Sequence, residues 1–92
     1  MNEETVKITI SGQVQMVGYR WFAKQQADAL GIRGYVRNSS RGDVEIIAKG
    51  KISNLENFIE YLRKGPSRAR VTKIRREACD EKISFDSFRI RT

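Results

Sequence analysis

The sequence predicts an α+β fold of the ferredoxin-like βαββαβ type, with two helices on one face of an antiparallel sheet and a short extra C-terminal strand. Three observations predict it. Apolar residues alternate with polar ones in the stretches expected to be strands, and they recur at helical spacing in two others. Glycines lie where the predicted helices end and where the predicted hairpin turns.

The first strand is predicted near the N-terminus, where three apolar residues alternate with polar ones: Val6, Ile8 and Ile10. This two-residue period is typical of a half-buried strand. Residues 32–38 and a second alternating run at 44–48 predict a hairpin, because Gly42 between them can supply the left-handed residue of its turn.

Two helices are predicted from apolar spacing. The first spans roughly 20–30 and is stopped by Gly31. The second carries an apolar stripe at i, i+3, i+4 and i+7, formed by Leu55, Phe58, Ile59 and Leu62. Ser53 and Glu56 predict a capping box at its start, and Gly65 followed by Pro66 ends it.

Two further strands complete the predicted order. Residues 71–76 predict a fourth strand, and the apolar residues Phe85, Phe88 and Ile90 predict a short terminal one. Ninety-two residues have room for one core, so residues 1–92 are predicted to form a single domain.

Composition limits the chemistry that the chain can perform. The sequence has no histidine and one cysteine, Cys79, which excludes a Ser-His-Asp triad, a Cys-His pair and a His-based metal site. No apolar run reaches membrane-spanning length, and the start MNEETVKI lacks the apolar stretch of a secretion signal. Together with the single cysteine, this predicts a cytoplasmic location. We expect a monomer, since no heptad or surplus apolar face is visible.

The net charge of +7 favours anionic partners, although solubility is an equally simple explanation. Residues 63–76 contain seven basic residues and no acidic ones. This segment is either a nucleic-acid footprint or an edge strand that charge protects against edge-to-edge pairing. The aromatic pattern of RNA-binding domains is absent, which favours the edge strand.

The stretch GQVQMVGYRWF, residues 12–22, joins the first strand to the first helix and carries Arg20 where that helix begins. A helix N-terminus already has partial positive charge and unpaired N–H groups, so a cation is disfavoured there. A bound anion would reverse this, because loop N–H groups and a guanidinium both bind phosphate oxygens. Alternatively, Arg20 points into solvent and Gly18 merely eases a turn.

Asn38 ends the second predicted strand, just before the hairpin turn. Its amide can accept a hydrogen bond from water through oxygen and donate one to a phosphate oxygen through nitrogen. The topology allows this strand end to approach the loop that precedes Arg20. Alternatively, Asn38 caps its own turn, as asparagine often does.

Two longer motifs resemble the signatures of the acylphosphatase family. GQVQMVGYR resembles G-x-V-Q-G-V-G-F/Y-R, and GYVRNSSRGDVEIIAKG resembles a second signature built around G-F/Y/W-V-x-N. The tail GPSRARVTKI, followed by FDSFRIR, is similar to the C-terminal part of that family. The resemblance covers nearly the whole chain, in order.

The resemblance implies a metal-free hydrolase without cofactors that splits the carboxyl–phosphate bond of acylphosphates. It implies that Arg20 binds the phosphate and that Asn38 positions the attacking water. Backbone amides of one loop would assist, namely those of Gln15, Met16, Val17, Gly18, Tyr19 and Arg20. The implied partners are a small-molecule acylphosphate and inorganic phosphate, with no obligatory nucleic acid and no membrane.

The alternative function is a non-catalytic phosphate- or nucleic-acid-binding module of the same fold. The presence of both Arg20 and Asn38 favours the enzyme. One departure from the family pattern concerns Met16, where the family usually has glycine. We expect an ordinary backbone at Met16, with its side chain packed or beside the pocket; the alternative is a strained or reshaped loop.

Overall fold

A computed structural model describes residues 3–80 and 85–92. Its elements follow the predicted order: β1 (Glu3–Gln13), α1 (Tyr19–Ala29), β2 (Arg33–Asn38), β3 (Val44–Lys51), α2 (Ile52–Lys64), β4 (Arg70–Ala78) and β5 (Phe88–Arg91). The predicted βαββαβ plan with a short last strand is therefore confirmed. Neither of these helices is long and apolar enough to cross a membrane.

The five strands form one mixed sheet in the order β4-β1-β3-β2-β5. The four strands of the predicted plan pair antiparallel, but β5 pairs parallel to β2, with Phe88 opposite Gly34 and Ile90 opposite Val36. The antiparallel sheet of the predicted plan is thus observed, and the direction of the extra strand, which the sequence left open, is parallel to β2. The parallel pairing brings the C-terminal ends of β2 and β5 to the same end of the sheet.

Both helices cover one face of the sheet and share a single core with it. The alternating residues of β1 are buried as predicted, and so is the stripe of α2 at Leu55, Phe58, Ile59 and Leu62. Helix α1 contributes Ala23 and Ala27 to the same core. The other face of the sheet has no helix among the described residues. Through the shared core, α1 packs against β2 and β5, and this packing positions the loop that precedes α1.

The predicted capping box of α2 is wrong. Strand β3 continues to Lys51, which pairs with Glu3 of β1, and the helix begins at the next residue without a loop. Ser53 consequently lies inside the first turn, and Lys51 is the N-cap, with extended backbone and no side-chain cap. The Glu56 carboxylate instead accepts a hydrogen bond of 2.6 Å from Arg76 on β4.

The basic segment 63–76 supplies most of β4, which lies at one edge of the sheet. Its strand residues are largely exposed, and Arg76 forms ion pairs with Glu4 and Glu56. This arrangement agrees with the interpretation of an edge strand protected by charge.

Strand β1 has a bulge between Ser11 and Gly12, beyond the end of its pairing with β3, and continues along β4 as far as Gln13. Gly12 has a φ of 126°, and a Cβ atom there would lie 2.1 Å from the carbonyl oxygen of Arg70. Only glycine allows β4 to approach this closely. The strand ends at Gln13, and the loop between it and α1 forms the candidate site.

Candidate active site

The loop between β1 and α1 has a backbone shape suited to an anion. Val14 is buried and anchors its start, whereas Met16 and Gly18 have positive φ angles of 62° and 78°. Met16 is the one non-glycine residue with positive φ among the described residues. From Met16 to Tyr19 the backbone therefore alternates, with left-handed angles at Met16 and Gly18 and ordinary angles at Val17 and Tyr19. Such alternation turns successive N–H groups toward one side, which is the geometry of an anion-binding nest.

The N–H groups of residues 15–20, which we call the phosphate loop, are not used elsewhere in the described part of the chain. None of them donates to a described backbone oxygen, and the first turn of α1 contains no acidic residue. The partial positive charge of the helix N-terminus is therefore not compensated by the helix itself. An anion bound in the phosphate loop would compensate it.

Arg20 is the second residue of α1 and reaches toward the end of β5. Its Nη1 donates a 3.1 Å hydrogen bond to the carbonyl oxygen of Arg91. No carboxylate of the described residues lies within 4.0 Å of its guanidinium, in contrast to Arg33 and Arg37, which form ion pairs of 2.7 and 2.6 Å. Because a guanidinium has five N–H donors, Arg20 retains several for a ligand while Arg91 fixes its direction.

Asn38 ends β2 with its side chain half-buried. Its Oδ1 atom is buried and has no hydrogen-bond partner among the described residues. The alternative role, capping of the hairpin turn, belongs to the next residue, because Ser39 Oγ accepts hydrogen bonds from the N–H groups of Arg41 and Asp43. A buried acceptor without a partner is rare, and here it is available to a water molecule or a ligand donor.

One pocket of about 200 Å³ brings these groups together. Arg20 and Asn38 both line it, although they are far apart in sequence; the other lining residues are Val14, Met16, Gly18, Tyr19, Trp21 and Ile90. The expected approach of the strand end to the first loop is thus observed. Gln15 and Val17, which were also expected in the phosphate-binding loop, are not among the residues that line this pocket.

The side chain of Gln15 holds the phosphate loop against the hairpin turn. Its Nε2 donates to the carbonyl oxygens of Ser39 and Asp43 at 2.9 and 3.0 Å. These two residues bracket the turn that follows Asn38, so one amide fixes the distance between the loop and the strand end. Sequence reasoning assigned Gln15 only a backbone role. No local signal in the sequence identifies this contact.

Tyr19 is a structural residue of the site. Its side chain is buried, and its hydroxyl donates to the carbonyl oxygen of Leu62 in α2. Burial raises the pKa of the Tyr19 phenol well above its usual value, because the charged phenolate loses its hydration. Tyr19 therefore remains neutral near pH 7. No cluster of three or more His, Cys, Asp or Glu side chains suited to a metal ion occurs in residues 3–80 and 85–92.

The expectation of an ordinary backbone at Met16 was wrong. The residue has the left-handed φ of 62° that the nest requires, and its side chain is 96% exposed at the pocket. The alternation of left-handed residues, with Gly18 following at φ 78°, explains why the family pattern has glycine at this position. With methionine at this position the loop keeps the same backbone geometry, but the unfavourable φ angle lowers the free energy of unfolding.

Met16→Gly is expected to raise the free energy of unfolding by about 0.5–1 kcal/mol, because glycine removes the left-handed penalty but adds some disorder to the unfolded chain. The exposed side chain takes little packing with it when it is removed. Urea unfolding of the variant and the parent measures the difference. Met16→Ala keeps a Cβ atom and serves as the control, for which no gain is expected; equal stability of the two variants would contradict a strained Met16.

Comparison with known proteins gives one consistent family. The acylphosphatase family model matches residues 6–90. An acylphosphatase of Chlorobaculum tepidum is 39% identical over 92 residues, which is 100% of both chains.

Solved structures agree with the sequence comparison. An acylphosphatase structure from Coxiella burnetii has a TM-score of 0.92 and 34% identity, covering 98% of this chain and 94% of its own. The crystal structure of acylphosphatase from Bacillus subtilis has a TM-score of 0.91 and 32% identity, covering 96% and 98% respectively.

Proposed function

The chain belongs to the acylphosphatase family, and from this premise we propose that its pocket hydrolyses acylphosphates to a carboxylate and inorganic phosphate, as an acylphosphate phosphohydrolase. One observation carries the proposal. The pocket joins unpaired N–H groups, an arginine without a carboxylate partner among the described residues and a buried amide oxygen without a donor there. These are the groups that a phosphoryl group and an attacking water would satisfy together.

The phosphate loop and Arg20 bind the phosphoryl group. Its oxygens accept hydrogen bonds from the loop N–H groups, at the positive end of α1, and from the free donors of the guanidinium. Negative charge on these oxygens persists in the transition state of phosphoryl transfer, so donors fixed in advance stabilise that state. The bond to Arg91 and the buried Tyr19 limit how far these donors can move.

Asn38 holds the attacking water. Its Oδ1 accepts a hydrogen bond from the water, which leaves a lone pair of the water oxygen free to approach phosphorus. The new P–O bond forms as the bond to the acyl oxygen breaks, and the electron pair of that bond leaves on the carboxylate. A proton of the water passes to a phosphate oxygen, so the immediate products are a carboxylate and dihydrogen phosphate, which then exchanges a proton with solvent.

The nature of the leaving group explains why the phosphate loop, Arg20 and Asn38 are enough for catalysis. A carboxylate is a weak base and leaves without a proton, so the site needs no general acid at the leaving oxygen. Tyr19 is unsuited to that task, because burial raises the pKa of its phenol and makes it a weaker acid, and because its proton is already donated to the carbonyl oxygen of Leu62. Positioning and charge stabilisation then supply the catalysis.

We further propose that residues 1–92 act as one domain and one monomer, on small-molecule acylphosphates, without a metal or organic cofactor. The family match over residues 6–90 supports the single domain, and the lone Cys79 suits a reducing compartment such as the cytoplasm.

The test is hydrolysis of acetyl phosphate in the presence of EDTA, with a phosphate monoester as the comparison substrate. We expect acetyl phosphate to be hydrolysed at the same rate with and without EDTA, and the monoester at least about a hundredfold more slowly, because its alkoxide leaving group needs the general acid that the site lacks. Inorganic phosphate should inhibit competitively. Phosphate binding without hydrolysis would instead support the non-catalytic module, and rescue of an EDTA-inactivated protein by a divalent cation would refute metal independence.

A further inference from the structure

Large apolar side chains at the protein surface concentrate at the mouth of the candidate active site. Five such side chains are exposed in the described part of the chain, and three of them line this pocket: Met16 at 96%, Trp21 at 58% and Ile90 at 38% exposure. We call these three the apolar rim. Single exposed apolar residues are ordinary, but a cluster beside a binding site commonly marks a ligand contact.

Three different elements build the apolar rim. Met16 comes from the phosphate loop, and its left-handed backbone leaves its side chain almost wholly in solvent. Trp21 follows Arg20 in the first turn of α1. Neither side chain contributes to the buried core.

Ile90 comes from β5, where it pairs with Val36 two residues before Asn38. Its neighbour on the same face, Phe88, is fully buried, so the face passes from core to surface at Ile90. The parallel pairing of β5 with β2 is what brings Ile90 to the end of the sheet that carries Asn38.

The pocket carries its charge on one side chain. Arg20 is the one charged residue among those that line it, and it adjoins the phosphate loop. A substrate whose phosphoryl group is held there must direct its acyl group away from the loop N–H groups and the guanidinium, toward the exposed side chains of the lining. The acyl group then meets the indole, thioether and aliphatic side chains of the apolar rim.

We propose that the apolar rim binds the acyl group and makes the protein selective for acylphosphates with an extended apolar acyl chain. This inference rests on the proposed function, since it names the substrate class of the same site. Apolar contact removes acyl and rim surface from water, and the gain grows with each methylene buried. A charged acyl group would lose hydration at the rim without gaining an ionic partner.

The experiment compares kcat/KM for hexanoyl phosphate and acetyl phosphate. The two leaving carboxylates are of similar acidity, so the chemical step is matched and the ratio of the two kcat/KM values reports acyl binding. We expect the parent to favour hexanoyl phosphate by about tenfold, the size expected when a short apolar chain is partly buried. The double variant M16Q/W21S should bring the ratio to about two or less, since both side chains become polar.

Tyr61→Ser is the matched control, because Tyr61 is another exposed aromatic residue, on α2 and outside this pocket. It should leave the ratio as in the parent. A ratio near one in an active parent, or a tenfold ratio retained in M16Q/W21S, would overturn the role of the apolar rim and leave hydrolysis itself standing. A parent that hydrolyses neither substrate would refute the proposed function. Circular dichroism checks that each variant is folded.

Discussion

Arg20→Gln is expected to lower kcat/KM for acetyl phosphate by about a thousandfold or more, because losing a fixed cation at a transferring phosphoryl group typically costs factors of 10³–10⁵. Glutamine retains hydrogen-bonding capacity but loses the charge and the planar pair of donors that binds two phosphate oxygens at once. The loss should appear in substrate binding as well as in turnover, because the guanidinium contacts the ground-state phosphate too. Steady-state kinetics and the inhibition constant of inorganic phosphate measure both effects.

The stability of the Arg20→Gln variant separates this role from a structural one. Arg20 makes one hydrogen bond, to the carbonyl oxygen of Arg91, and no ion pair with a described carboxylate. Its replacement should therefore change the free energy of unfolding by no more than about 1 kcal/mol. Arg68→Gln removes an exposed arginine between α2 and β4 and is the matched control. A folded Arg20→Gln variant with undiminished hydrolysis would remove Arg20 from the site.

Two residues of the phosphate loop occupy positions that a stable protein would avoid. A cation near a helix N-terminus costs about 0.3–1 kcal/mol, and a left-handed non-glycine residue costs about 1–2 kcal/mol. Arg20 and Met16 bear these costs four residues apart, in the loop that lines the pocket. Local costs of this kind concentrate at functional sites, so the placement of these two residues supports a ligand at this loop.

The regular elements could be predicted because burial imposes a period on the sequence. The alternation at Val6, Ile8 and Ile10 and the stripe through Phe58 needed no tertiary information. The start of α2 was mispredicted, because the pairing of Lys51 with Glu3 extends β3 to the helix and overrides the signal at Ser53. The direction of β5 was equally invisible, since four residues do not specify which strand they pair with.

The sequence singled out Arg20 and Asn38, and the structure brings both to one pocket. Each residue also had an ordinary local explanation, and the resemblance to the family signatures is what assigned their roles. The hydrogen bonds from the Gln15 side chain to the carbonyl oxygens of Ser39 and Asp43 depend on how close the loop comes to the hairpin turn, which only the folded chain determines. The left-handed φ of Met16 was the alternative that the family glycine raised, and it was not preferred because methionine rarely adopts such an angle.

Asn38→Ala is expected to lower kcat for acetyl phosphate by about a hundredfold, the size of contribution expected from one group that positions a reactant. KM and the inhibition constant of inorganic phosphate should stay within about threefold of the parent, because the loop N–H groups and Arg20 still bind the phosphoryl group. The amide oxygen removed by this substitution is buried and has no partner among the described residues.

The same oxygen makes a second, independent prediction about stability. The oxygen accepts no hydrogen bond from a described residue, so alanine breaks none within the protein and only the packing of the amide is lost. The free energy of unfolding of Asn38→Ala should therefore lie within about 1 kcal/mol of the parent value, although its turnover falls. Asn57→Ala, at an exposed position of α2, serves as the control for loss of an amide and should leave kcat as in the parent. A variant that is less stable and yet turns over at the parental rate would show that Asn38 supports the hairpin and takes no part in positioning the water.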